Sequence, residues 1–478
     1  MKRILLCCFL TGILVQGALA QRYFGVATGN YDPLNTVFIN PANLAGCSEK
    51  LTINLFSVNL QVDNNLGTVN SLSSIISNSN NNNGNNNGSN NLFTFSNRNR
   101  FSMLLPVFEL RGPAVSYAIN SKHTLAITTR VRVFNQFNDF DRNLYNYLTN
   151  PNFQSGNSYG LNINGFNWTA QIWSEIGLSY GGEILTRDKF TVKVGATLRY
   201  LQGTGFISLK SKNFDVQYSA NSDSLYAVNS DLEYASSAYS PSSTFLGGAA
   251  GGGILNNFLG SPIGAGIGAD LGVIVEIHPF SNDNDPENHR IKLSASVTDI
   301  GAITYKAGNT YTADFYGNGY ISGSGFSNNV TNYQSFKNYL AGQGFSGDTS
   351  TGMKTVGLPT ALLLGADYNI YKKFFANLTA VANMANRNNL GNSYYGQVTL
   401  TPRFDTRLFT AAFPITYNML ADNVRFGFAL RFSGFYIGSD DMMMLIADHQ
   451  YGVNLYMGGY IPIGHNKRSA KQEFVSHL

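Results

Sequence analysis

The stretch Phe190–Tyr200, F-T-V-K-V-G-A-T-L-R-Y, alternates with a strict period of two. Val192, Val194, Ala196, Leu198 and Tyr200 fall on one face; Thr191, Lys193, Gly195, Thr197 and Arg199 fall on the other. That period belongs to a strand with one apolar and one polar face. The pattern recurs along the chain, and no segment after the leader has the eighteen or more apolar residues of a membrane-crossing helix. Repeats of this kind predict an all-β chain whose strands close into a transmembrane antiparallel barrel.

The connections between the repeats alternate in length. Long ones fall at 63–100, 135–165, 211–262 and 316–357, and short turns fall between them. If the amino end is periplasmic, every long connection lies on the outer side and every short one on the inner side, as outer-membrane barrels require. A β-sandwich has no reason to sort its connections this way. The strands read as Leu51–Val62, Phe101–Asn120, His123–Phe134, Trp168–Tyr180, Phe190–Leu201, Gly266–Ile277, Arg290–Thr298 continued through Ile303–Phe315, and Pro359–Tyr371. Six more follow: Phe374–Val381, Tyr394–Phe404, Arg407–Tyr417, Val424–Phe432, Phe435–Ser439 and Tyr451–Ile463. The sum is a barrel of about 14 strands.

Composition agrees. Charged residues are 13% of the 478, about half the share usual in soluble domains. The 27 Tyr, 33 Phe and 49 Gly suit interfacial aromatic girdles and a polar lumen. Residues 1–20 read as a secretory signal: Lys2 and Arg3, the apolar run Ile4–Val15, then Ala18-Leu19-Ala20 before Gln21. Without Lys2 and Arg3 the 32 basic residues fall to 30, against 28 acidic, and no basic cluster marks a phosphate-binding face. Nucleic acid is therefore not an expected partner. Cleavage also leaves Cys47 as the one remaining cysteine, so no intrachain disulfide can form.

The domain reading is a signal at 1–20, a hatch segment at 21–50, an outer-membrane barrel at 51–463 and a short periplasmic tail at 464–478. Segment 21–50 is rich in turn residues, and its Ile39-Asn40-Pro41-Ala42 holds Asn40 extended ahead of Pro41. Because a lumen of about 14 strands is too wide for side chains alone to fill, this segment is the candidate plug. The tract Asn78–Asn91 cannot bury a core and is expected to stay unordered.

On the polar faces, Arg130, Arg132, Lys193, Arg199, Arg425 and Arg431, with Lys292 and Glu175, are lumen-facing candidates. They would line a conduit for a polar or anionic solute or, more simply, fill the interior as ion pairs. No chemistry stands out. Asp283-Asn284-Asp285 lacks the rest of a calcium loop, the glycines of Gly264–Gly272 lack a βαβ unit, and the histidines show no metal spacing. No G-x-S-x-G elbow is present. The expectation is no enzyme, no cofactor and no metal.

Three short motifs carry a family resemblance. Asn40-Pro41-Ala42, after a leader and a polar arm, resembles the N-P-A element in the hatch of FadL-like fatty-acid channels and of PorV-like barrels of Bacteroidota. Val297-Thr298-Asp299-Ile300-Gly301-Ala302-Ile303-Thr304-Tyr305 resembles the S-x-x-D-[LI]-G-x-[IL]-x-[WY] strand of that group, and Gly438-Ser439-Asp440-Asp441 its G-S-D element. The chain looks closest to the members of that superfamily whose function is unknown. The resemblance implies a Gram-negative, Bacteroidota-like outer membrane with lipid contacts, and a hatch inside the barrel. It leaves two functions open: a hatch-gated channel for small or hydrophobic solutes, or a PorV-like adaptor that engages secretion or cell-surface proteins.

Overall fold

The computed structural model describes residues 23–71, 93–144, 159–162, 164–187, 189–219, 224–237, 262–278, 289–322, 333–386, 389–443, 447–448 and 450–465. The leader, the Asn tract, the run 238–261 and the Asp283-Asn284-Asp285 turn lie outside these residues.

The chain forms a closed barrel of 14 antiparallel strands. Its first eight are Glu49–Asn64, Arg100–Arg111 continued as Ala114–Ala118, His123–Asp141, Asn167–Arg187, Phe190–Ser219, Gly264–Ile277, Ile291–Tyr305, and Lys354–Gly357 continued as Ala361–Tyr371. Then come Phe374–Asn383, Gln397–Asp405, Phe409–Ala412 with Ile415–Asn418, Asn423–Phe426 with Phe428–Phe432, Phe435–Ser439 and Gly452–His465. Gly452–His465 pairs with Glu49–Asn64, from Glu49 opposite His465 to Asp63 opposite Gly452, which closes the ring and leaves no free edge.

Alternation decides which face goes where. Thr191, Lys193, Thr197 and Arg199 are buried, while Leu198 and Tyr200 are exposed. In register beside them, Leu178 lies opposite Leu198 and Tyr200 opposite Ile267, all exposed. Leu271, Leu364, Leu378, Leu400, Val424, Ile437 and Leu455 extend this apolar exterior round the ring. An outward apolar band over a polar interior is the arrangement a barrel in lipid needs; in water so large an exposed patch would associate.

The wall is taller on one side than the alternation predicts. Phe190–Ser219 runs well beyond the expected Leu201, and its pairing with Asn167–Arg187 shifts register between Ile172 and Trp173. A one-residue phase change turns every later side chain over. Past it Phe206, Phe214, Val216 and Tyr218 are buried instead of exposed. Two connections expected to be loops supply strands to this extension. Ser224–Ser237 pairs with both Phe190–Ser219 and Thr310–Ser322, and Ser346–Ser350 adds to Thr310–Ser322. A helix, Tyr333–Gly342, packs Tyr339 and Leu340 into the resulting core with Phe214, Leu225, Phe315 and Phe345. The expected continuation Ile303–Phe315 is in fact two strands, because the turn at Lys306-Ala307-Gly308-Asn309, with Gly308 at φ +87, reverses the chain.

Candidate functional site

Residues 23–48 form no strand. Helix Phe24–Ala27 leads to helix Pro33–Thr36, where the Asp32 side chain accepts from the Asn35 N–H at 3.1 Å, an ordinary N-cap. The 3-10 turn Pro41–Leu44 follows, capped by Asn40 Oδ1, which accepts from the Ala42 N–H at 2.9 Å. Asn40 itself is extended, at φ −154 and ψ 114, as a residue before proline prefers.

The hydrogen bonds of this segment reach strands on every side of the ring. Asn40 Nδ2 donates to the carbonyls of Val273 and Ala295, each at 3.2 Å, and Ser296 Oγ donates to the Ile39 carbonyl at 2.6 Å. On other strands, Arg111 donates to Asn35 Oδ1 at 2.6 Å, the Asn30 N–H to Asp405 Oδ2 at 3.0 Å and the Tyr460 hydroxyl to the Tyr31 carbonyl at 3.0 Å. Asp440 accepts from the N–H groups of Phe24 at 2.8 Å and Gly25 at 3.1 Å. The segment is thus hydrogen-bonded to residues spread round the ring. Two wall glycines let it come close: a Cβ on Gly195 would collide with the Pro41–Ala42 peptide, and one on Gly272 with the Asn40 side chain.

This contact makes Gly195→Val a selective lever. The strand keeps a good β-former, while the added methyls push the turn off the wall at a cost of about 1–3 kcal/mol. The barrel is expected to fold and keep its heat-modifiable mobility. Chymotrypsin should then cut the variant at Tyr31 or Phe38 and spare the wild type, both being scored on the same gel.

The wall beside the segment is charged. Arg130 meets Glu109 at 3.2 Å, Glu175 at 2.8 Å and Asp299 at 3.1 Å. Arg132 meets Asp299 at 2.9 Å and Glu175 at 3.5 Å, Arg111 meets Glu109 at 2.6 Å, and Arg199 pairs with Asp270 and, at 3.2 Å, with Glu175. Arg111, Arg130, Arg132 and Arg199 thus face Glu109, Glu175, Asp270 and Asp299, one charge for one. The ring of Phe38 lies over the guanidinium carbons of Arg111 at 4.3 Å, Arg130 at 4.7 Å and Arg199 at 5.9 Å, a cation–π seat for the segment.

The lumen-facing candidates therefore divide. Arg130, Arg132 and Arg199 share this cluster. Lys193 pairs with Glu276 at 2.7 Å. Arg425 bridges Asp63 and, at 3.2 Å, Asp441. Arg431 meets Asp405 at 3.4 Å and the Arg407 carbonyl at 2.9 Å. Each of these cations has a carboxylate partner, whereas Lys292 joins Lys193 and Glu276 in the lining of the cleft by the short turns and makes no ion pair within 4 Å among the described residues.

Sequence reasoning did not place Glu109, Arg111, Asp270, Arg403 and Asp367 in the interior, and it named Asp299 only within the family motif. Arg403 binds Asp367 through two nitrogens, one at 2.5 Å and one at 2.9 Å, and His289 Nε2 reaches the same carboxylate at 2.7 Å. Asp299 is the instructive case. It sits at φ +57 where the strand carries one extra residue between Val297, opposite Leu271, and Ile300, opposite Ala269. This bulge turns both Thr298 and Asp299 inward, which simple alternation forbids. Gly301, at φ +144, follows it against the Ile267 carbonyl, where a Cβ would clash.

Two clefts flank the segment along the barrel axis. One, at the end with the short turns, is lined by Pro33, Gly46, Lys193, Glu276 and Lys292 and spans about 500 Å³ including open solvent. The other, towards the long connections, spans about 650 Å³ including open solvent, and its lining combines Asp63 and Arg425 with Leu104, Val107 and Phe134. Its apolar wall continues into a buried cluster of Trp173, Leu201, Phe206, Ile303 and Tyr305. Among the described residues no group of three or more His, Cys, Asp or Glu is placed to hold a metal ion.

A model described as a family of unknown function (DUF5723) matches residues 41–440. No curated protein matches the chain. Among solved structures it is similar to the P. putida toluene transporter TodX, with TM-score 0.40 and 10% identity over 94% of this chain and 99% of that one. It is also similar to a Pseudomonas aeruginosa FadL homologue, with TM-score 0.31 and 11% identity over 94% of this chain and 100% of that one.

Proposed function

The chain belongs to the DUF5723 family, and from the contents of its barrel we propose that it is an outer-membrane channel for small hydrophobic or amphipathic solutes, gated by its N-terminal segment. One observation carries the reading. Residues 23–48 are held by scattered hydrogen bonds to many strands rather than by a continuous ladder, and a hatch across the lumen accounts for this pattern. Such a segment can shift as a unit, because no one bond holds it; each contributes about 1 kcal/mol. The apolar residues of the outer cleft supply the hydrophobic preference, and the balanced charges around Phe38 supply little attraction for ions. In this reading residues 1–20 are the removed leader, 21–50 the hatch, 51–463 the barrel and 464–478 a periplasmic tail.

A second reading, a PorV-like adaptor for secreted or surface proteins in a Bacteroidota-like outer membrane, is favoured by the extension on the outer side. It has its own core and presents Thr310–Ser322, Ser346–Ser350 and Tyr333–Gly342 to the outside. Two measurements separate the readings. For the channel, the mature protein is expected to begin at Gln21, to fractionate with the outer membrane, and to speed uptake of a radiolabelled alkylbenzene into proteoliposomes over protein-free vesicles. Uptake equal to that of empty vesicles, with secretion components recovered from native membranes by cross-linking, would instead establish the adaptor.

A further inference from the structure

The outer cleft has a polar arc that its neighbours leave incomplete. Arg425 and Asp441 are both buried, 3% and 4% exposed, and meet through Nη1 and Oδ2 at 3.2 Å. Arg425 Nη1 also serves Asp63, and its Nε donates to Asn423 Oδ1 at 3.2 Å. The second atom of each group, Arg425 Nη2 and Asp441 Oδ1, makes no hydrogen bond. The Met443 backbone N–H lies near the Asp441 carboxylate without closing a bond to Oδ1. Both residues line the cleft, and the free donor and free acceptor lie just beneath its surface. Buried charged groups with open hydrogen-bonding positions are costly, and a ligand group that fills both is favoured accordingly.

Charge decides what that group is. The cleft lining holds Asp63, Asp440 and Asp441 against a single cation, Arg425. A carboxylate would add a further negative charge and would have no proton for Asp441 Oδ1. An ammonium has protons but cannot accept from Arg425 Nη2. A hydroxyl accepts from the guanidinium and donates to the carboxylate at once, and it enters uncharged. Leu104, Val107 and Phe134 share the lining with this pair, with Tyr394 standing edge-on to Phe134 at 5.6 Å between ring centroids. Such a wall suits a short apolar or aromatic body.

We propose that this cleft is a recognition site for small neutral alcohols and phenols, the hydroxyl held between Arg425 and Asp441 and the body against Leu104, Val107 and Phe134. The site sorts solutes by head group: it favours a hydroxyl, tolerates a bare hydrocarbon and turns away a carboxylate. This rests on the channel reading and gives it a substrate class.

The test uses three ligands with one body, 4-propylphenol, propylbenzene and 4-propylbenzoate. Binding to the full mature chain in lipid nanodiscs is measured by equilibrium dialysis against empty nanodiscs. The phenol is expected to bind about 10–100-fold more tightly than the other two, the range that hydrogen bonds to charged groups provide. In Asp441→Asn, which keeps the side-chain shape, the phenol should lose most of that advantage and the benzoate should gain. The wild-type head-group series decides the matter even if this variant does not fold. Equal binding of propylbenzene, or preferred binding of the benzoate, overturns the proposal. So does the absence of binding by all three while propylbenzene still enters proteoliposomes, and in that case the channel reading stands. No binding together with no uptake removes the channel reading, and this site with it.

Discussion

Deleting Tyr23–Gly46 behind an intact leader is expected to give a folded barrel whose conductance in planar bilayers rises on the order of tenfold over the intact protein, because a lumen this wide is not filled by wall side chains alone. The barrel should survive the loss. Its ring is closed by the pairing of Glu49–Asn64 with Gly452–His465, neither of which is removed. The arginines beneath Phe38 would meet water while keeping their four carboxylates, and paired charges in contact with water lose little. Heat-modifiable mobility on gels checks the fold, and single-channel recording checks the pore. Unchanged conductance from a folded deletion variant would place the barrier in the apolar cluster of Trp173, Phe206 and Tyr305 and would end the plug hypothesis.

The largest stability effect is expected at Asp299. Its carboxylate serves Arg130, Arg132 and, at 3.5 Å, Arg199, and accepts from the Tyr394 hydroxyl at 3.3 Å. Asp299→Asn keeps the shape and the tolerance for a left-handed backbone, but leaves four guanidiniums facing three carboxylates. The expected loss is about 3–5 kcal/mol, the usual cost of breaking a buried ion pair from one side. Asp299→Ala should cost about 1–2 kcal/mol more, because alanine fits poorly at positive φ. Denaturant midpoints of the refolded barrel measure both. Replacing Arg132 by Met in the Asp299→Asn background restores equal charge and should recover part of the loss. No recovery would mean that Asp299 acts through the bulge and not through charge.

Much of the barrel was legible because its physics is local. Each wall strand carries its own inside and outside in alternate residues, so the expected and observed strands correspond one for one round the ring. The extension was not legible because it uses the same period. The phase change near Ile172 and Trp173 is a pairing event with a neighbouring strand, and nothing in the Phe190–Ser219 run alone announces it. The turn at 306–309 was overrun for the same reason, since alternation continues on either side of Gly308.

The interior divides similarly. Asn40 and Pro41 could be singled out because a capping side chain and a restricted backbone act within a few residues. The candidate arginines could be found as polar-face cations, whereas their partners could not. Arg130 and Asp299 are 169 residues apart, and Asp299 points inward only through a bulge. Phe38 carried no signal at all. An aromatic residue in a turn-rich arm gives no hint that three guanidiniums lie beneath it.

The position of the arm also dictates an order of events. The Phe24 N–H bonds to Asp440 across 416 residues, and the Tyr31 carbonyl to Tyr460 across 429. The earliest described part of the chain thus has partners that are among the last to be made. Loop closure over such a span must precede any gain from those contacts. The arm is therefore expected to dock late in assembly, once the strands that carry these partners are in place. In the channel reading proposed above, a barrel caught before that step is a closed ring with an unfilled middle, and the rate at which the arm follows sets how long it leaks.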